Sequence, residues 1–370
     1  MNTPTTTVLP GGIGTAPVAE ARAAVAQRLR QAAVIPAHPL ALDEEGGFDG
    51  RAQRALSSYY LEAGAGGLAV GVHTTQFALH DDMGLLTEVW QLAADVAAGT
   101  ETSPGEDPPL LIAGICGDAA EAMEEASRAR DLGYEVALLC SSGMTSTEES
   151  AMLDRVRAVG DVMPVIGFYM QDAVGGQKLG REFWRDLFDI ETVIGAKVAP
   201  FDRYRTNDLA RALAEHDRRQ DVVLLTGNDD AIVLDLLSPY RVAADDDQNP
   251  VRVAGGLLGQ WAVGTRAAVQ LTRQVLDTAV AGSVPSELLQ TSSDLVEVNA
   301  AVFDVDHGFA GCIAGVNEVL RQQGLLSSAA CLDGETLSPG QADRITRVRR
   351  EFPQLLDEEF IASRRDAWLG

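Results

Sequence analysis

Lysine is scarce in this chain. Lysine and arginine together number 29 among 370 residues, and only Lys178 and Lys197 are lysine. Lys197 lies in the run Val-Ile-Gly-Ala-Lys-Val-Ala-Pro over residues 193–200, an apolar, β-branched context that reads as a strand. Burial there disfavours the ammonium form and leaves a nucleophilic amine. Such an amine forms a Schiff base with a carbonyl compound. A lysine at a strand end with its head in solvent is the alternative, and the neighbouring elements must decide between the two.

Those elements alternate along the chain. Helical spacing of apolar residues predicts helices over 19–30, 50–63, 83–98, 118–132, 148–159, 181–188, 206–215, 231–237 and 263–281. Asp118 is placed to cap its helix, and Gly64 and Gly133 to stop theirs. Between the helices lie short apolar runs at 32–39, 67–72, 110–116, 136–140, 165–169, 193–198, 222–226 and 251–254. Apolar residues on both faces suit a parallel sheet covered on both sides. Eight strand-plus-helix units predict a (β/α)8 TIM barrel. No G-x-G-x-x-G follows the first strand to favour an open doubly wound sheet. The expected organisation is an N-terminal segment and leading helix over 1–31, the barrel over 32–282, and a C-terminal helical extension over 283–370. Within that extension 311–324 and 338–352 are the clearest helices. The Thr/Pro/Gly-rich start, the proline-bearing stretch 100–109 and the acidic stretch 243–248 read as loosely ordered or solvated loop.

Composition narrows the function. The net charge of −25 argues against nucleic acid or an anionic membrane as partner. No run is apolar and long enough to span a bilayer, and no leader pattern opens the chain. The four cysteines, Cys116, Cys140, Cys312 and Cys331, show neither metal-ligand nor disulfide-framework spacing. His80, His216 and His307 have no ligand partners at useful spacing, so no metal is expected. These features together predict a cytoplasmic protein.

In a barrel, functional groups stand at the C-terminal ends of strands and in the loops that follow. That rule collects His73, Thr74 and Thr75 after strand two, and Cys116, Cys140, Ser141 and Ser142 after strands three and four. Phe168 and Tyr169 end strand five, and Lys197 ends strand six. Thr226, Asn228, Asp229 and Asp230 follow strand seven; Gly255, Gly256 and Gln260 follow strand eight. The cysteines read as small buried apolar residues. Asp229 and Asp230 read as acid–base groups or as a helix cap. Arg203 and Arg205 read as solvated charges or as cations for a carboxylate-bearing substrate.

The order of these pieces resembles the dihydrodipicolinate synthase/N-acetylneuraminate lyase family of Schiff-base aldolase barrels. Leu-Glu-Ala-Gly-Ala-Gly-Gly-Leu at 61–68 is similar to that family's entry into strand two. Thr74 and Thr75 match the threonines of its Gly-Thr-Thr-Gly-Glu motif. Pro-Val-Ile-Gly-Phe-Tyr at 164–169 resembles its strand five. Gly195-Ala196-Lys197 matches its Gly-Ile-Lys, and Thr226-Gly227-Asn228-Asp229 resembles its Ser-Gly-Asp-Asp turn. The resemblance spans roughly residues 32–281.

The resemblance implies an imine between Lys197 and a pyruvate-like 2-oxo acid, for aldol cleavage or condensation or for dehydration. No cofactor is implied beyond that covalent imine. It further implies that Thr74 and Thr75 hold the keto-acid carboxylate and that a strand-five tyrosine relays protons; Asn228, Asp229 and Gly256, at the ends of strands seven and eight, are expected as further substrate contacts. Here the simplest alignment puts Phe168 at the tyrosine position and Tyr169 one place on; a bulge is needed to turn Tyr169 inward. His73, with an unperturbed pKa near ~6.5, is a substitute acid–base group. His73, Gln76 and Phe77 replace the motif's glycines and glutamate, the loop 141–144 has no aromatic, and 171–180 has Lys178 but no arginine. On these departures the chain is not expected to be a true dihydrodipicolinate synthase. A homodimer or homotetramer is implied. The alternative reading is a non-catalytic binding or regulatory barrel built on the same scaffold.

Overall fold

Eight apolar segments become strands because each can be buried on both faces. They are β1 Val34–Pro36, β2 Gly67–Val70, β3 Leu110–Ile115, β4 Val136–Leu139, β5 Val165–Met170, β6 Val193–Ala199, β7 Val223–Thr226 and β8 Val251–Leu258. In the computed structural model, which describes residues 15–101, 107–242 and 250–370, they pair in parallel in the order β1-β8-β7-β6-β5-β4-β3-β2. The ring closes where Ala37 bridges Ala69 in parallel and the His38 N–H donates to the Ala69 carbonyl at 2.8 Å. The expected (β/α)8 TIM barrel is therefore the fold. The start of the chain, the middle of the loop 100–109 and the acidic stretch 243–248 lie wholly or partly outside the described residues.

Helix α1, Thr15–Ala32, precedes the barrel. Each strand is then followed by a helix: α2 Gly50–Glu62, α3 Met83–Ala98, α4 Ala119–Asp131, α5 Glu149–Gly160, α6 Arg181–Asp189, α7 Arg203–Ala214, α8 Ile232–Leu237 and α9 Thr265–Ala281. Side chains alternate across the strands and divide the core into two. Ile35, Ile112, Leu138, Ile166, Ile194, Val223, Leu225 and Leu257 fill the barrel, with Leu29 of α1 packed against them. Val70, Ile115, Trp90, Tyr134, Trp184 and Val198 pack between strands and helices. Each such residue taken fully out of water contributes roughly 1.5–3 kcal/mol. Asp118 caps α4 as expected, in a reciprocal box with Glu121.

Strand β8 runs four residues beyond the expected end at Ala254, through Gly255 and Gly256 to Leu258. Those glycines are expected to follow the strand, yet here they lie within it and serve close approach. A β-carbon on Gly255 would lie 2.1 Å from the Ala33 carbonyl oxygen. Helix α7 begins at Arg203, earlier than residue 206, because the Asp202 carboxylate accepts from the Tyr204 and Arg205 N–H groups. A short antiparallel pairing of Pro239–Tyr240 with Val251 and Arg252 was not legible in the sequence.

Beyond the barrel lie α10 Ser286–Val302, α11 Cys312–Gln322, α12 Gln341–Glu351 and α13 Glu358–Trp368. They are bonded into the barrel, not merely laid against it. Asp357 accepts from the Tyr59 hydroxyl of α2 and from the Arg266 and Ala267 N–H groups at the start of α9, at 2.6–2.8 Å. Gln76, after β2, accepts from the Leu332 N–H. Asn299 of α10 donates to the Asp229 carbonyl at 2.6 Å. The last two contacts bring this region over the C-terminal mouth of the barrel.

Candidate active site

Lys197 projects into the barrel near the end of β6, paired with Phe168 of β5 and Leu225 of β7. Strand alternation sends its neighbours Ala196 and Val198 the other way, toward the helices. Its Nζ stands 4.2 Å from the centroid of the Phe168 ring. The stem rests on the chain of the next strand end, where a β-carbon on Gly227 would lie 2.5 Å from Lys197 Cε and 3.3 Å from Cγ. Glycine at 227 is what lets the lysine lie flat. The residue is 7% exposed, and burial pushes its ammonium down to about 8. Lys178, the other lysine, is exposed.

The turn after β7 faces the amine. Buried Asp235 of α8 accepts from Thr226 Oγ1, Asn228 Nδ2 and the Arg203 guanidinium, and Asn228 Oδ1 accepts from the Phe201 N–H at 3.0 Å. This network fixes the turn and leaves Asp229 directed at the chamber. Asp229 Oδ1 accepts from the Gln260 N–H at 2.9 Å. Burial pushes its carboxyl up to about 7, against the Gln260 N–H and the Lys197 charge.

Behind β2, His73 and Thr74 line the same chamber. Burial, and then the Lys197 charge, push the His73 imidazole down to about 4. Thr75 acts differently. Its Oγ1 accepts from the Gly71 and Val72 N–H groups at 3.0 and 3.2 Å and donates to the His38 carbonyl at 2.6 Å. It clips β2 to β1 and does not line the chamber.

The structure thus brings together Lys197, His73, Thr74 and Asp229, and it corrects four other expectations. Tyr169 pairs with Val198 and points outward. Its hydroxyl meets the Leu179 backbone at 3.3–3.4 Å, and its ring packs on Trp184. The irregular register of β5 lies at Val165/Ile166, so the pleat is regular at Phe168–Tyr169 and Phe168 takes the inward place. Thr75 and Asn228 spend their side chains on backbone and network bonds. Gly256 would point a β-carbon at Leu258 and Trp261, away from the chamber; Gly259 lines it instead. None of the six tyrosines of the chain reaches the chamber. Tyr59, Tyr60, Tyr134, Tyr169 and Tyr240 belong to the outer core, and Tyr204 is on the surface.

Several lining residues escaped sequence reasoning: Met170, Gln171, Val174, Phe201, Phe303 and Cys312. Phe303 and Phe309 both belong to the C-terminal extension. No spacing signal ties residues a hundred positions apart to one mouth. Arg203 and Arg205 are engaged elsewhere, Arg203 with Asp235 and Arg205 with both oxygens of Asp172 at 2.8 Å. Cys116 and Cys140 are buried inside the barrel, and burial raises the Cys116 thiol. Among the described residues no group of three or more His, Cys, Asp or Glu is placed to hold a metal, and no helix is long and apolar enough to cross a membrane.

The chamber is small, about 60 Å³, and mostly apolar. It adjoins an outer vestibule of about 410 Å³ through the shared walls Gln171, Phe201, Phe303 and Phe309.

No protein-family model matches the sequence, and no curated protein matches it. Solved structures do match the fold. The chain is similar to YagE, a prophage protein of the dihydrodipicolinic acid synthase family from E. coli K12 solved with pyruvate, with TM-score 0.71, 16% identity, and coverage of 87% of this chain and 99% of that one. It is similar to dihydrodipicolinate synthase from Oceanobacillus iheyensis, with TM-score 0.70, 14% identity, and coverage of 90% and 99%. N-acetylneuraminate lyase from Fusobacterium nucleatum gives TM-score 0.66, 17% identity, and coverage of 86% and 98%. At these identities the likeness is one of fold: a complete (β/α)8 barrel with its C-terminal helices.

Proposed function

We propose that this chain is a divergent member of the dihydrodipicolinate synthase/N-acetylneuraminate lyase family and a class I, Schiff-base lyase. The observation that carries the reading is the buried Lys197, whose ammonium is pushed down to about 8 inside a chamber at the strand C-terminal mouth. The free amine attacks the keto carbon of a 2-oxo acid, and the carbinolamine loses water to give the imine. The protonated imine withdraws electrons from the adjacent carbon, so the bond beyond it breaks or forms without any redox partner. Thr74 is the hydroxyl at hand for the carboxylate. Asp229, ionising near neutrality, is the group that takes the proton from the hydroxyl at the cleaving carbon and returns it in the reverse direction. His73 stays neutral and serves as a hydrogen-bond partner. The family also suggests a cytoplasmic homodimer or homotetramer. The lack of any tyrosine or arginine lining the chamber supports the reading that the chain is not a true dihydrodipicolinate synthase.

The same lack of a phenol supports a second reading, a barrel that binds its ligand without turnover. One experiment separates the two. Incubation with pyruvate and borohydride is expected to add one reduced pyruvyl group to the protein, detected by mass spectrometry and mapped to Lys197. No adduct on the wild type, or an equal adduct on Lys197→Met, sinks the enzymatic reading.

A further inference from the structure

Beyond the polar cluster, the larger side chains on the chamber walls are Phe168, Met170, Val174, Phe201, Phe303 and Phe309, with Gln171 beside them. Gln171 is the one amide among them, so most of this wall offers nothing to the hydroxyls of a sugar chain. The Phe201 and Phe309 rings meet at 5.7 Å between centroids and 63° between planes, where the chamber opens into the vestibule. Both residues are held in the left-handed region, at φ 50° and 69°, a costly conformation for a bulky side chain. Asn228 fixes the first through the Phe201 N–H, and the Asp304 carbonyl fixes the second through the Phe309 N–H, each at 3.0 Å. Beyond the rings the vestibule carries Asp172, Asp202 and Asp230 against Arg205 alone, which Asp172 already holds. That rim repels a second carboxylate.

We propose that the substrate is a 2-oxo acid with an aryl tail, its head at Lys197 and its tail seated against Phe201 and Phe309. This rests on the Schiff-base reading and adds the substrate class to it. In the synthetic direction pyruvate C3 bonds to the carbonyl carbon of an aryl aldehyde. One C3 proton is lost and the aldehyde oxygen gains one. The water released on imine formation returns on hydrolysis, giving a 4-aryl-4-hydroxy-2-oxobutanoate. Ring–ring contacts favour the aryl group in edge or offset geometry.

The test reads selectivity with and without the imine. Wild-type protein with pyruvate is expected to show kcat/KM at least about tenfold higher with benzaldehyde than with glyceraldehyde or succinic semialdehyde. Lys197→Met, which cannot form the imine, is expected to bind phenylpyruvate at least about tenfold more tightly than 2-oxoglutarate by calorimetry. Equal or reversed affinity in that variant overturns the aryl proposal. A missing borohydride adduct on wild type, with the aryl preference intact in Lys197→Met, overturns the Schiff-base reading instead. Phe309→Asn keeps a residue suited to left-handed backbone and is expected to reduce the preference at least about fivefold. Phe201→Asn makes the same exchange on the facing ring and is expected to do the same. A preference unchanged in both folded variants overturns the assignment.

Discussion

The floor of the chamber and its cover are built by different physics. The floor, at the ends of β2, β6 and β7, is pinned by buried hydrogen bonds. Asp235 gathers Thr226, Asn228 and Arg203, Thr75 clips two strands, and Gln260 holds Asp229. The cover, made of Phe201, Phe303 and Phe309, relies on apolar contact and on two strained backbone positions. Buried polar networks hold one geometry because every alternative leaves a donor or acceptor unpaired. Apolar contact is less directional and tolerates exchange. On the proposed function, reactivity belongs to the floor and selectivity to the cover. Variants that strike one and spare the other can break that division.

Lys197→Met strikes the floor hardest. The trapped adduct is expected to vanish, while thermal stability rises. A lysine driven from its ordinary range to about 8 carries a destabilising cost at pH 7 of order 3 kcal/mol or less. The sign follows from proton binding. Between about pH 8 and the ordinary lysine range the unfolded chain binds the extra proton, so wild-type stability climbs with pH there. Below that window the cost is fully present. The variant is expected to melt several degrees higher at pH 7 and to lose that climb, as calorimetry across pH would show.

Gly227→Ala tests how closely the floor is fitted. The added methyl would sit 2.5 Å from Lys197 Cε, so the stem must move. A displacement near 1 Å in a reacting group costs up to about 100-fold in rate. Trapping by pyruvate and borohydride is expected to fall at least about tenfold while circular dichroism stays native. An unaltered trapping rate would mean that the amine's position is not set by this contact.

A pH profile ranks next. In the proposed reaction the free amine is the nucleophile, so the trapping rate is expected to rise about tenfold per pH unit up to about 8, where Lys197 titrates, and to level off above it. His73, pushed down to about 4, contributes no inflection near neutrality. A profile still climbing above pH 9 would place the amine in an ordinary, solvated setting.

The same division explains what the sequence made legible. Strand periodicity, the rarity of lysine and the order of the motifs located Lys197, His73, Thr74 and Asp229, because each sits beside its own strand end. Thr75 and Asn228 looked equivalent to their neighbours, since residue type alone does not say whether a side chain spends its bonds inward or on the backbone. Phe168 and Tyr169 differ by a single step of the pleat, and only the register with β6 orients them. The cover was out of reach for another reason. Phe201, Phe303 and Phe309 converge through tertiary packing of the last helices, and the left-handed backbones of Phe201 and Phe309 carry no sequence signature comparable to glycine.

Asp304→Asn strikes the cover from outside the chamber. The Asp304 carboxylate accepts from Ser338, Arg344, His307 and the Gly311 N–H, and so pins the segment between Phe303 and Phe309. The amide keeps the shape and the left-handed preference but turns one acceptor into a donor. A loss of about 1–3 kcal/mol in stability is expected, with a two- to fivefold weaker preference for aryl over polar aldehydes. Pyruvate trapping at Lys197 should stay within about twofold of wild type. A large loss of trapping would show that cover and floor are mechanically one unit.

Tyr169→Phe is the mildest change and the sharpest about the proton path. The Tyr169 hydroxyl meets only the Leu179 backbone, on the far side of β5 from Lys197. Removing it deletes two long neutral hydrogen bonds, together worth about 1 kcal/mol, and keeps the ring against Trp184. Melting temperature should drop by a few degrees at most, and trapping and aldol rates should stay within about twofold. Asp229→Asn supplies the contrast, because it should slow carbon–carbon bond cleavage while imine trapping survives. If Tyr169→Phe instead abolished turnover with the imine intact, β5 would have to flip its pleat during catalysis, and the proton would travel through the phenol and not through Asp229.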